Sequence, residues 1–320
     1  MKWRTEVAVP SGENPITYSS RMLLMGSCFA THLSEKFTYY QFPHLGNPFG
    51  VLFHPVPMEN LVLRALEKRL FTPEDLFETA GRWRCLEAHS DLSGASPEEA
   101  LQKLNQALSA LKEALANATH TLLTLGTAYA FRYLPSDELV ANCHKLPASK
   151  FARELSTPGE IQDSLSRTLG LLRSFRKDMT CLLTVSPVRH LRDGLVENQR
   201  SKAHLITAVQ ALVEKGKAEY FPSYELFMDD LRDYRFYEPD LVHPSRAGVD
   251  YVWECFEQAW IHAEARPVMK EVASVRKGLG HRSLHGTSQE FETFRASLQA
   301  RIGRLREHYP HMDFGEWEKN

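Results

Sequence analysis

The sequence predicts an α/β protein, a three-layer α/β/α sandwich around a mainly parallel sheet. Three observations carry this. Continuous apolar runs at 21–25, 120–125 and 179–185 read as strands buried on both faces. Amphipathic helical stretches separate them, which is the alternation of a parallel sheet covered on two sides. Apolar residues make up 43% of the chain and charged residues 24%, enough apolar area for a sizeable core and too much for a disordered chain.

The elements follow in order. The run 21–25 ends at Gly26-Ser27, and 31–40 reads as a helix, so the first unit is strand, tight turn, helix. Segment 41–57 is rich in Pro, Gly and His and reads as a loop or short irregular strand. Segment 58–69 is amphipathic, and Thr72-Pro73-Glu74 places Pro at a helix start. The stretch 74–118 reads as a helical insertion and possible cap, with a strand at 83–88 and a helix opened by Ser96-Pro97-Glu98-Glu99. Leu101, Leu104, Leu108, Leu111 and Leu115 recur there at helical spacing, the mark of core packing. Helices are expected at 161–175, 198–215 and 248–263, and a last short strand at 218–221.

The main domain is therefore expected over 1–263, and 264–320 is a charged C-terminal helical extension. In the extension, Thr287-Ser288-Gln289-Glu290 has the capping-box pattern. It opens a helix with Phe291, Phe294, Leu298, Ile302 and Leu305 on one face. That face is expected to pack on the main domain, to overhang the site, or to form a homodimer.

Lys plus Arg number 38 and Asp plus Glu 40, a net charge of −2. Such a chain has no global field to draw nucleic acid or an anionic membrane, so function is expected in a local site. No run approaches the ~18 apolar residues of a membrane span. Segment 5–15 is polar and broken by proline, without the apolar core of a signal peptide. The five cysteines are scattered, odd in number and form no CxxC. The expectation is a cytoplasmic protein without a disulfide framework or zinc knuckle.

In parallel sheets, sites form past the carboxyl ends of the strands. Those positions are Gly26-Ser27-Cys28, Gly126-Thr127, Ser186-Pro187 and the loop after Phe221. Ser27 either presents its hydroxyl at a helix N-terminus, where developing negative charge is favoured, or caps that helix. Asp240 and His243 can share one turn at the same edge. The carboxylate would then fix the imidazole tautomer and leave the second nitrogen to take a serine proton. The alternative is a capping Asp beside a surface His. Together these pieces give the order Ser, Asp, His.

Gly26-Ser27-Cys28-Phe29-Ala30 resembles the signature of the GSCFA domain family, a branch similar to the SGNH (GDSL-like) hydrolases. Asn47-Pro48-Phe49-Gly50, Asn142-Cys143-His144-Lys145, Ser186-Pro187-Val188-Arg189-His190 and the stretch from Glu197 to Ala203 resemble further blocks of the family, over roughly residues 15–262. The resemblance implies an SGNH-hydrolase, flavodoxin-like sandwich. It implies Ser27 as nucleophile, His243 as base and Asp240 as its orienter. It also implies an oxyanion hole from the Ser27 N–H, a glycine N–H (Gly46 or Gly50) and an asparagine amide. Here the sequence departs from the wider pattern. The block usually written Gly-x-Asn-Asp reads Gly126-Thr127-Ala128-Tyr129. One lost oxyanion donor costs ~100–1000-fold in rate, so a replacement is expected. Asn47, Thr127, Asn142 and His144 are the candidates, with the two primary amides favoured for their N–H geometry.

Arg189 and His190 follow a strand end directly, placed either to contact substrate or to pair with Asp193 or Glu197. Cys28 is expected to pack against the sheet, its side chain pointing away from that of Ser27. His281 and His285 have no metal-ligand spacing. The implied activity is hydrolysis of a small O-acyl ester, such as an acetylated carbohydrate, through acyl-Ser27. It needs no metal or organic cofactor. An O-acyltransferase using the same triad, or an inactive binding protein on the hydrolase fold, are the alternatives. The expected partner is a small ester, with no nucleic acid and no membrane insertion.

Overall fold

The computed structural model describes residues 5–280 and 289–315. Its strands are β1 (Met22–Gly26), β2 (His44–Gly46), β3 (Phe77–Thr79), β4 (Arg82–Arg84), β5 (His120–Leu125), β6 (Tyr129–Tyr133), β7 (Glu138–Val140), β8 (Phe151–Leu155), β9 (Thr180–Val185) and β10 (Glu219–Tyr220). Its helices are α1 (Cys28–Tyr39), α2 (Pro55–Glu67), α3 (Pro97–Asn117), α4 (Pro158–Phe175), α5 (Leu195–Glu214), α6 (Ser223–Glu225), α7 (Arg246–Trp260), α8 (Ala265–Leu279) and α9 (Gln289–His308).

The central sheet has the order β10-β9-β5-β1-β2, and every pairing in it is parallel. Alternation along each strand divides its residues between two cores. Leu23, Met25, Leu123, Leu125, Leu183 and Val185 face α2, α3, α4 and α5. Met22, Leu24, Leu122 and Leu182 face α1 and α7, against Phe37, Phe256 and Trp260. This is the expected three-layer sandwich. The chain reverses direction across the sheet between β1 and β5, and their carboxyl ends open a crevice there.

The stretch expected as an insertion and possible cap divides in two. Its helix, α3, buries Leu104, Leu108, Leu111 and Leu115 in the core beneath the sheet, so it is the crossover from β2 to β5. Only the β3–β4 hairpin and its flanking turns stand outside the layers. A second small antiparallel sheet, β7-β6-β8, follows β5 and was not expected from the sequence. The short strand expected at 83–88 is confined to Arg82–Arg84.

In the C-terminal extension, α8 and α9 bury Met269, Val272, Val275, Leu298, Ile302 and Leu305 in the same core as α1 and α7. Beyond α9, Tyr309 and His311 pack on Tyr18, and His311 Nε2 bonds to Gln41 O at 3.1 Å. These contacts lie at the amino end of β1. The described part of the extension is therefore at the edge opposite the crevice and does not overhang it. Its apolar stripe is covered within the chain, with Phe294 alone left well exposed, so the stripe gives no reason for a homodimer. The capping box at Thr287, together with His281 and His285, lies outside the described residues. Among the described residues, no helix is long and apolar enough to cross a membrane.

Candidate active site

The β1–α1 turn is built by a glycine that nothing can replace. Gly26 has φ +133°, and a Cβ there would stand 2.1 Å from Thr124 O. That close approach locks the turn onto β5. The Ser27 N–H donates to Thr124 O at 3.0 Å and to Thr124 Oγ1 at 2.9 Å. The Ser27 hydroxyl lies 3.1 Å from Thr124 Oγ1 and accepts from Phe29 N at 3.3 Å as the N-cap of α1. Ser27 is 1% exposed. Among the described residues its hydrogen bonds all run into this turn, and none joins it to His243. Cys28 is only half-buried. The burial of the two neighbours is thus the reverse of the sequence expectation, because the cap turns Ser27 inward and leaves the first helical residue outward.

Asp240 and His243 meet as expected. Asp240 Oδ1 accepts from Val242 N and His243 N, both at 2.9 Å, and Oδ2 lies 2.6 Å from His243 Nδ1. The turn is tight enough to hold Leu241 at φ 58°. These bonds pull the Asp240 carboxyl down to about 2, the His243 side-chain bond first among them. A carboxylate only accepts, so Nδ1 carries a proton, and in the neutral imidazole Nε2 is the acceptor. Both side chains are about half exposed, at 49% and 48%. His243 lies near enough to His190 to lower its basicity; burial is the larger cause, followed by Lys202, and together they bring His190 to about 4.

The N-terminal turns of α5 brace this edge. Asn198, Ser201 and Lys202 are all buried. Asn198 Oδ1 accepts from His190 N at 2.9 Å. Ser201 Oγ accepts from Ala128 N at 2.7 Å and lies 2.9 Å from Thr127 Oγ1. Lys202 Nζ donates to Gly126 O at 2.6 Å and to Ser186 O at 2.7 Å, tying together the ends of β5 and β9. Burial brings Lys202 down to about 7, against an upward pull from Cys28. The sequence reading singled out no role for Thr124, Asn198, Ser201 or Lys202. One signal was available. Residues 198, 201, 202, 205, 208, 209 and 212 form one helical stripe, so polar residues at its start continue a buried face.

The expected oxyanion donors fare unequally. Gly46 lies in β2 opposite Leu24, where a Cβ would meet Ser34 Oγ at 2.2 Å, so its bareness serves packing on α1. The Gly50 N–H is spent on Asn47 O, and the Gly126 and Thr127 N–H groups on Phe53 O. Asn47 accepts from Gly26 N and donates to Thr31 Oγ1, with a longer bond to Ser27 O, so it props the turn from below. The His144 ring turns away to Cys85 O at 2.7 Å. Asn142 differs: its Oδ1 caps His144 N, and its Nδ2 has no hydrogen-bond partner among the described residues. Arg189 reaches Met228 Sδ at 3.1 Å, Glu197 is held by Tyr129 and Arg200, and the Asp193 side chain lies outside what the structure describes.

A cleft of about 710 Å³ lies against the β7-β6-β8 sheet, lined also by residues just past β5 and β9. Phe53, Thr127, Phe131, Asn142, Lys145 and His190 are among its lining residues, whereas Ser27, Cys28, Asp240 and His243 are not. Among the described residues, no cluster of His, Cys, Asp or Glu is arranged to hold a metal ion.

A parallel α/β sandwich with a polar crevice at its switch point is the architecture of many small-molecule enzymes and binding proteins. Residues 21–256 match the GSCFA family, and residues 272–317 match the GSCFA domain protein, C-terminal domain. The chain belongs to the GSCFA family. None of the curated proteins matches it.

Proposed function

We propose that this protein is an acyl-ester hydrolase of the SGNH type, acting on a small O-acyl ester. The Asp240–His243 pair carries the reading. It is an imidazole whose Nδ1 is held by a carboxylate and whose Nε2 has no hydrogen bond among the described residues, in the loop that precedes α7. In the reaction, a nucleophile on that turn attacks the ester carbonyl while His243 Nε2 takes its proton. The imidazolium returns the proton to the departing alcohol, and water then releases the acid by the same route. Base and nucleophile commonly close to bonding distance only around substrate. The turn offers Ser27 and Cys28, of which the resemblance names Ser27. The cleft has the size of a small-molecule site, and its polar and aromatic walls suit an acylated carbohydrate. The five free cysteines fit a cytoplasmic setting.

The test is turnover of a panel of p-nitrophenyl and sugar acetates by the wild type and by His243→Ala. The variant is expected to lose at least about a hundredfold in kcat. Equal rates in both proteins, or no turnover of any ester, would sink the reading. Added alcohols that divert the acyl group would move the assignment from hydrolysis to transfer.

A further inference from the structure

We propose that the cleft against the β7-β6-β8 sheet binds a phosphate monoester carried on an aromatic or apolar body, with the phosphate between Lys145 and Arg192. This occupant is a charged form of the ligand assigned to the cleft above, and its binding does not depend on ester cleavage. Three observations converge on it.

The first is the sign of the lining. Lys145, Arg153 and Arg192 line the cleft, and no Asp or Glu is among the described residues that do. Carboxylates outnumber cations over the whole chain, 40 to 38, so a cationic lining is a local feature. Arg153 lies over the Tyr129 ring at 3.6 Å. Glu197, a nearby carboxylate, is taken up by Tyr129 and Arg200. Lys145 and Arg192 are exposed, and neither side chain has a hydrogen bond or ion pair among the described residues. Burial raises the Cys143 thiol and Arg192 draws it back, which puts Arg192 within reach of the turn that carries Lys145. A cleft lined by one sign of charge concentrates the opposite sign.

The second is the way that turn is held. His144 and Lys145 are successive left-handed residues, at φ 48° and 60°. Such backbone is costly for residues with side chains and persists only where the surroundings impose it. Here they do. Asn142 Oδ1 accepts from His144 N at 2.8 Å, and Asn142 N donates to Leu86 O at 3.2 Å. The buried His144 ring lies 2.7 Å from Cys85 O. Lys145 therefore extends from a fixed base, already placed for a ligand.

The third is the match of the remaining wall. Phe53, Phe131 and Phe151 supply an apolar surface. His190 meets Phe53 edge-on at 5.0 Å and immediately precedes the turn that carries Arg192. Burial, with Lys202 and His243, brings His190 to about 4, so at neutral pH it is uncharged and offers one N–H. A phosphate monoester carries nearly two charges and three strong acceptor oxygens. The Lys145 ammonium, the Arg192 guanidinium and the imidazole N–H answer these. A carboxylate, with one charge, would leave one of the two cations unmatched. The volume of about 710 Å³ leaves room for the organic body on the phenylalanines.

The experiment titrates the full chain with phenyl phosphate, inorganic phosphate, benzoate and phenol by isothermal calorimetry at neutral pH and low salt. Phenyl phosphate is expected to saturate one site, at least about tenfold tighter than any of the other three. Lys145→Gln and Arg192→Gln, checked by circular dichroism, are each expected to weaken it by at least about tenfold. Phe131→Ala is expected to weaken phenyl phosphate and leave inorganic phosphate unchanged. Lys150→Gln, which removes an exposed charge outside the cleft, is expected to change neither. Benzoate, phenol or inorganic phosphate binding as tightly as phenyl phosphate overturns the proposal. So does equal affinity in the wild type and the two glutamine variants, or no binding of phenyl phosphate at millimolar concentration. Phosphate binding without turnover of any ester overturns the hydrolase reading alone, and ester turnover without phosphate binding overturns this proposal alone.

Discussion

A side chain's partners decide what it is free to do, and the polar residues at this edge divide on that criterion. Asn47 and Asn142 are the same residue type, and either amide would serve as an oxyanion donor by its chemistry alone. Asn47 has its amide committed to Gly26 and Thr31, whereas Asn142 keeps Nδ2 uncommitted on the cleft wall. Asn142→Ala is therefore expected to lower kcat by roughly 100–1000-fold, with a stability cost limited to the lost His144 N–H cap. Asn47→Ala is expected to lower the melting temperature as well, since it unpairs the buried Gly26 N–H. Steady-state kinetics alongside thermal melts separates the two, and an active Asn142→Ala would remove that residue from the oxyanion hole. Ser27 and Cys28 teach the same lesson one bond apart. The sequence places both at the helix start, but only the hydrogen bonds of the turn reveal which one faces inward.

Elements meet at this edge, and α5 makes the junction. Its first turns reach under the ends of β5 and β9 through Ser201 and Lys202. Lys202 stands near 7 when folded and near the ordinary lysine value when unfolded. Between those values the unfolded chain holds a proton that the folded chain has released. Stability contributed at this site therefore rises with pH from about 7 to about 10 and is lost as pH falls, by up to about 1.4 kcal/mol per unit. The groups that act on Lys202 are Cys28, Arg189 and the Tyr224 ring, and it in turn acts on His190. Urea unfolding of the wild type and Lys202→Met at several pH values isolates its part. The stability difference between them is expected to shift in favour of the wild type as pH rises, whatever offset the freed carbonyls add. Parallel curves would mean that Lys202 keeps its proton.

The molecule as a whole keeps its polar crevice at one edge of the sheet and the described part of its C-terminal appendage at the other. Gly278 marks how closely α8 approaches α9, since a Cβ there would meet Leu298 Cδ1 at 2.9 Å. Gly278→Val is expected to push α9 outward and lower the melting temperature by several degrees, an overpacking cost of about 1–3 kcal/mol. Ester turnover at low temperature is expected to stay unchanged, because the described extension touches neither the crevice nor the cleft. A fall in kcat without a fall in stability would instead tie the extension to the site.

Much of this architecture follows from local pattern. Apolar strands such as 120–125 and 179–185 can only be buried on both faces, and the helices between them carry single apolar stripes. That forces a parallel three-layer sheet with its site past the strand ends. The Asp240–His243 contact is equally local, three residues within one turn. The sequence by itself therefore determined the layers, the edge where the strand ends open a crevice and the contact of Asp240 with His243. The rest depends on partners distant along the chain. Thr124 turns Ser27 inward from 97 residues away, and Lys202 reaches Gly126 across 76. The role of α3 as a crossover and the docking of α9 depend likewise on which faces meet. Only the tertiary structure decided these, because the direction of a polar side chain is set by the hydrogen bonds available once the core has closed.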